Sequence, residues 1–239
     1  MHQSSSPETR APLILLHGLG SGAWSMYVLA TRLGRLGFDV EVLSYRSHGQ
    51  SLAQMTDEIQ TILPERFNGR FDVVAHSLGG LVGHQLAKRL GSTAISKVVM
   101  LGSPFLGTRV AGVLVKSCLA RFIYGPIWSD LLPEERRRHD IRIEGIEIGM
   151  IAGVIPGTQF LPRGASDGLI PLTSTKGACF NHHIAIPASH ATLLISKTAA
   201  DNVGSFLKFG HFLQASEGSH SDGFTPEQSP VACQPQSSF

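Results

Sequence analysis

The chain has 239 residues, 42% of them hydrophobic and 16% charged, which suits one large globular domain and excludes a disordered protein. A formal net charge of +2 provides no strong positive field, so the bulk numbers give no reason to expect nucleic-acid binding. The opening "MHQSSSPETRAP" has no apolar h-region, and no stretch reaches membrane-span length, since "AGVLVKSCLA" is broken by Lys116. Together these features predict a cytoplasmic protein. The three cysteines, Cys118, Cys179 and Cys233, are far apart and odd in number. They read as reduced thiols, with a disulfide between two of them left open.

In chain order, residues 1–10 are expected to be flexible. "LILLHG" (13–18) is a short apolar run stopped by glycine, a buried strand. "WSMYVLATRLGRLG" (24–37) has helical spacing and ends at Gly37. "FDVEVLSY" (38–45) alternates and reads as a strand. "SLAQMTDEIQTILPERF" (51–67) returns to helix, with Leu52, Met55 and Ile59 on one face. The strand "FDVVAH" (71–76), the helix "LGGLVGHQLAKRLG" (78–91) and the strand "KVVMLGS" (97–103) follow. Two further strands, "EIGMIAGV" (147–154) and "HHIAIP" (182–187), precede a final helix at about 197–209. His182 and His183 lie inside their strand and read as structural.

Strands alternating with helices predict an α/β fold. It would be a doubly wound, mostly parallel sheet with helices on both faces, spanning 11–213. Residues 104–146 separate two strands by more than one helix needs. They form either a small cap over a pocket or an ordinary crossover helix with an extra loop. Residues 214–239 are rich in Ser, Pro, Gln and Gly and read as a disordered tail.

Ser77 stands where a strand gives way to a helix. A sharp turn there exposes its hydroxyl at the carboxyl edge of the sheet, and crowds the positions two before and two after it. Those are Ala75 and Gly79, while Gly80 lets the helix approach the strand. The positive end of the helix faces the same point and favours an oxyanion. A serine nucleophile needs a base, and the base an orienting group. His190, in "HHIAIPASHATLL", follows a strand and can be the base. Asp167, in "GASDGLIPLTST", lies on a loop between the two and can orient it. An Asp-Gly pair is also a common surface turn. The amide of Leu78 and that of Leu19, in the glycine-rich "LLHGLGSGAW", are candidate oxyanion donors. That loop matches neither G-x-G-x-x-G nor a Walker A sequence, which argues against nucleotide binding.

Four motifs in this order resemble an α/β-hydrolase of the lipase/esterase type over roughly residues 12–210. They are "HGLGSGAW" for the oxyanion loop, "AHSLGG" for the nucleophile elbow, "SDGLIP" for the acid loop and "SHATLL" for the histidine loop. The elbow has Ala75 where the G-x-S-x-G form has glycine, as in several small bacterial lipases. The resemblance implies the α/β-hydrolase fold and a Ser77–His190–Asp167 triad acting on an ester through an acyl-enzyme. It implies no metal or organic cofactor.

The substrate is less legible. Apolar residues within 105–132, with Trp24, Phe105, Leu106 and Trp128 as candidates, suggest a pocket for a small or medium acyl group. Arg121, Arg136, Arg137, Arg138 and Arg142 are either a solvated helix end or a docking patch for an acidic acyl carrier protein. The second option leaves open a carrier-bound ester, such as the pimeloyl-carrier methyl ester of biotin synthesis. A lipase, a transacylase and a non-enzymatic ligand-binding relative are the other readings.

Overall fold

The computed structural model describes residues 11–63, 67, 69–114, 116–117, 125–162 and 164–213. The expectations for residues 1–10, 214–239, Cys118, Arg121 and Cys233 lie outside the described residues. Six strands form one sheet: β1 (Leu13–Leu16), β2 (Val40–Leu43), β3 (Phe71–His76), β4 (Ile95–Leu101), β5 (Glu147–Val154) and β6 (His182–Pro187). Their order is β2-β1-β3-β4-β5-β6, and every neighbouring pair is parallel. Among the described residues the α-helices are α1 (Tyr27–Arg35), α2 (Leu52–Ile62), α3 (Leu78–Leu90), α4 (Arg109–Leu114), α5 (Ile127–Asp130), α6 (Pro133–Arg138) and α7 (Lys197–Phe209).

Side chains alternate across each strand, so the sheet supplies two cores. Ile14, Leu16, Val73, Val98, Met100, Ile148 and Met150 face one way and meet Met55, Ile59, Leu81, Val82 and Leu86 of α2 and α3. Leu13, Leu15, Val74, Val99 and Ile151 face the other and meet Leu29 and Leu33 of α1 and Val203 and Phe206 of α7. The inner strands β1 and β3 are buried throughout, and burial on both faces explains the unbroken apolar sequence of β1 and of Val73–Ala75 in β3. The edge strand β2 is half exposed and shorter than 38–45. β4 stops at Leu101 rather than 103, because Gly102 turns into the left-handed region at φ +58°.

β1 lies between β2 and β3, so the chain leaves β1 to one side and returns on the other. The carboxyl ends of β1 and β3 therefore flank a topological switch point, where open α/β sheets bind ligands. The residues after those strands are His17–Gly18 and Ser77. Among the described residues, no helix is long and apolar enough to cross a membrane.

Candidate active site

Ser77 joins β3 to α3 with φ +53° and ψ −124°, and among the described residues it is the one non-glycine at positive φ. Such a conformation costs on the order of 1–3 kcal/mol and persists only where the surroundings enforce it. They do so here. The Ser77 N–H donates to Leu101 O at 2.8 Å. A Cβ at Gly79 would stand 2.5 Å from His17 O, and one at Gly80 would collide with Ser103 Oγ. The turn thus fits only because α3 opens on two glycines. A Cβ at Gly18 would lie 3.1 Å from Ser77 Cβ, so the loop after β1 runs directly past the serine.

Asp167 and His190 come from the loops after β5 and β6. His190 Nδ1 donates to Asp167 Oδ2 at 2.6 Å, and the His190 N–H donates to Asp167 O at 2.9 Å. Asp167 Oδ1 accepts the N–H groups of Leu169 and Ile170 at 2.9 and 2.6 Å. The carboxylate is 2% exposed and every oxygen is used. Gly153 on β5 makes room for it, since a Cβ there would sit 3.0 Å from Asp167 Cβ.

The pair and the serine converge on Gly102. A Cβ on that residue would lie 3.2 Å from Asp167 Oδ2 and 3.3 Å from His190 Nδ1, while its neighbour Leu101 accepts the Ser77 amide. Among the described residues the Ser77 hydroxyl makes no hydrogen bond. A nucleophile–base contact often tightens only when substrate binds. Neither the Leu19 nor the Leu78 N–H donates to any group of the described chain, so both are free to meet an oxyanion.

His76 was not singled out by sequence reasoning. Its Nε2 donates to His190 O at 3.0 Å and the two rings lie 4.6 Å apart. Burial holds its pKa down to about 4, with the neighbouring His190 adding to the effect, so it is a neutral donor near pH 7. A polar residue closing the apolar run Val73–Ala75 was the available signal. On the opposite flank, Tyr45 stacks on His17 with centroids 4.4 Å apart and donates to His17 O at 2.6 Å, bracing the loop that carries Gly18 and Leu19.

Other candidates are placed less uniformly. Trp24 is 73% exposed. Leu106 and Trp128 are half-buried against the α2/α3 core. Phe105 is fully buried within that core, against the rings of His84 and Phe180. Arg137, Arg138 and Arg142 are exposed. Arg136 is not part of that surface, which corrects the expectation of a five-arginine patch: it is 2% exposed and donates from Nε to Phe105 O at 3.1 Å. α6 turns it inward, while its neighbours face solvent. His183 donates to Thr175 Oγ1 at 2.9 Å. Cys179 is a buried free thiol whose pKa burial raises. Among the described residues, no group of three or more His, Cys, Asp or Glu side chains is placed to hold a metal ion.

Residues 13–206 match the model of the alpha/beta hydrolase family, and the chain belongs to that family. Its fold is that of the lipase of Bacillus licheniformis. In the propeptide form of that enzyme the TM-score is 0.70 at 14% identity, covering 92% of this chain and 54% of that one. The mature form gives 0.66 at 13% identity, covering 87% and 95%. A gene product of Listeria innocua gives 0.59 at 18% identity, covering 84% and 94%. By sequence, the chain is 28% identical to Methylesterase 4 of Arabidopsis thaliana over 143 residues, 55% of this chain and 54% of that protein. The match thus spans about half the length of that relative. The chain's relatives and structural neighbours in the family include a methylesterase and a lipase.

Proposed function

We propose that the protein is a serine carboxylester hydrolase in which Ser77 is the nucleophile, His190 the general base and Asp167 the orienting carboxylate. The observation that carries this reading is the 2.6 Å His190–Asp167 hydrogen bond, partly buried beside the strained serine. His190 Nε2 takes the Ser77 proton as Oγ attacks the ester carbonyl carbon. The oxyanion is met by the free amide of Leu19 in the loop after β1 and that of Leu78 at the N-terminus of α3. Collapse expels the alcohol, which receives the proton from His190. A water then repeats the sequence on the acyl-enzyme and releases the acid and Ser77. Asp167 holds the imidazole tautomer with Nδ1–H and stabilises its cation.

A small or medium acyl ester is the substrate in this reading, and the resemblance to a methylesterase supports ester over amide bonds. The exposed Arg137, Arg138 and Arg142 favour one variant of it, in which the ester arrives on an acidic carrier protein in the cytoplasm. Hydrolysis of p-nitrophenyl esters from short to long acyl chains, by wild type and Ser77→Ala in parallel, tests the proposal. Wild type should show a chain-length optimum, and Ser77→Ala should lose several orders of magnitude in kcat. Equal activity in the two proteins would remove Ser77 from the mechanism.

A further inference from the structure

Away from the serine, a cavity of about 270 Å³ opens between α3 and α6, lined by Leu81, His84, Gln85, Lys88, Arg89, Arg136 and His139. The first five share one face of α3, at spacings of three and four residues. Arg136 and His139 come from α6 and the residue that ends it. Five of the seven are basic residue types and none is acidic.

Two of the basic residues are buried, and each has a nitrogen without a partner. Arg136 is 2% exposed, and its Nη2 has no hydrogen-bond partner. The same is true of His84 Nε2, in a ring 1% exposed. Burying a guanidinium is costly unless it is paired. Among the described residues no carboxylate forms an ion pair with Arg136. The acids that act on it through space are engaged elsewhere. Asp130 accepts the Leu52 N–H, Asp140 accepts those of Ala178 and Cys179, and Glu135 holds Arg138 and His139. Lys88 Nζ lies at the rim, 3.5 Å from His139 Nδ1. Arg89 is already paired with Asp57. Lys88 and Arg89 also offset the dipole at the end of α3. That role does not account for an unpaired guanidinium buried beside them.

We propose that the α3–α6 cavity binds a phosphate group, with Arg136 and Lys88 as donors. A phosphate has enough oxygens to accept from both helices at once, and it gives Arg136 Nη2 the hydrogen-bonding partner that the nearby acids do not. Arg136 also holds Phe105 O, so an occupied cavity ties α6 and the segment after β4 to the helix that carries Ser77 at its start. The site is separate from the triad, and its test reads binding alone.

The experiment is calorimetric titration of the whole chain in phosphate-free buffer at constant ionic strength. The probes are inorganic phosphate and glycerol 3-phosphate, with sodium acetate as reference. Wild type should bind phosphate or the monoester saturably, and at least tenfold more tightly than acetate. An ester that binds fivefold or more tightly than the free ion assigns the cavity to a phosphomonoester, and equal affinity assigns it to the ion. Lys88→Gln, on an exposed and fold-neutral position, should weaken binding about fivefold, and Arg136→Met about tenfold or more. Arg35→Gln, on the far face of the sheet, should leave it unchanged. Absence of saturable binding by either phosphate probe overturns the proposal. So does unchanged affinity in Lys88→Gln, which also covers the case in which Arg136→Met fails to fold.

Discussion

Asp167 and Arg136 are equally buried, each 2% exposed, and they are treated in opposite ways. The carboxylate has His190 on one oxygen and two backbone amides on the other. The guanidinium has one carbonyl, the face of the Phe105 ring 5.4 Å away and a nitrogen with nothing to bond. A fully satisfied buried charge holds its geometry without help, as an orienting group needs. An incompletely satisfied one is finished only by something that binds. In the proposed reading, the contrast separates a catalytic site satisfied in advance from a cavity that a ligand would complete.

The largest effect is expected where the satisfied charge is removed. Asp167→Asn keeps the shape of the side chain but invites the wrong imidazole tautomer, and should lower kcat by about 10⁴ with the fold intact. Steady-state kinetics on a p-nitrophenyl ester reads the loss, and a change below tenfold would mean that Asp167 does not orient His190.

Acidification comes next. Burial holds His76 and His183 at about 4 and His84 at about 3, and lowers His17 as well. The unfolded chain binds these protons near pH 6.5 and the folded chain does not. Their contribution is therefore full at pH 7 and is lost as pH falls from 6.5 towards 4. Asp72, raised to about 6 by burial, works the other way, because the fold binds its proton first, and Asp130 is also raised. Four histidines against two carboxyls leave a net loss on the order of a few kcal/mol at pH 5, and a Tm lower by roughly 10 °C than at pH 7. Calorimetric scans at the two pH values decide it, and a Tm that rises on acidification would reverse the sign.

His76→Phe removes the donor to the His190 carbonyl. About a tenfold loss in kcat with little change in KM is expected, because one hydrogen bond is worth about 1 kcal/mol. His76→Gln, which keeps an N–H, should recover most of it. Equal losses in the two variants would reduce His76 to packing. The smallest effect belongs to the unsatisfied side. His84→Phe deletes a nitrogen without a partner and the bond to the carbonyl of the exposed Ile141, and keeps the ring against Phe105, so stability in phosphate-free buffer should change by less than about 1 kcal/mol. Chemical denaturation measures it, and a large loss would show that His84 Nε2 is held as well.

Much of the fold was legible in the sequence. "FDVVAH", "EIGMIAGV" and "HHIAIP" match β3, β5 and β6 residue for residue, because each is a short β-branched or apolar stretch between breaks that stop a strand. The stretch 104–146 was not resolved into α4, α5 and α6, because short helices of four to six residues carry too few turns to establish a period. Arg136 was read with its neighbours, since a run of arginines ordinarily faces water. Which member turns inward depends on where Phe105 O lies, and that is a tertiary fact. At the candidate site, the glycines around Ser77 were legible as a steric need. The clearance that Gly102 and Gly153 give to Asp167 and His190 comes from strands distant in sequence and had no local sign.

The most direct test of the Ser77 proposal is covalent trapping. The protein would be treated with a fluorophosphonate ester, digested and mapped by mass spectrometry. Phosphonylation should appear on the Ser77 hydroxyl, and should fall to background in Ser77→Ala and in His190→Ala. Ester hydrolysis by the wild type with no adduct at Ser77, or with an adduct on another residue, would contradict the assignment.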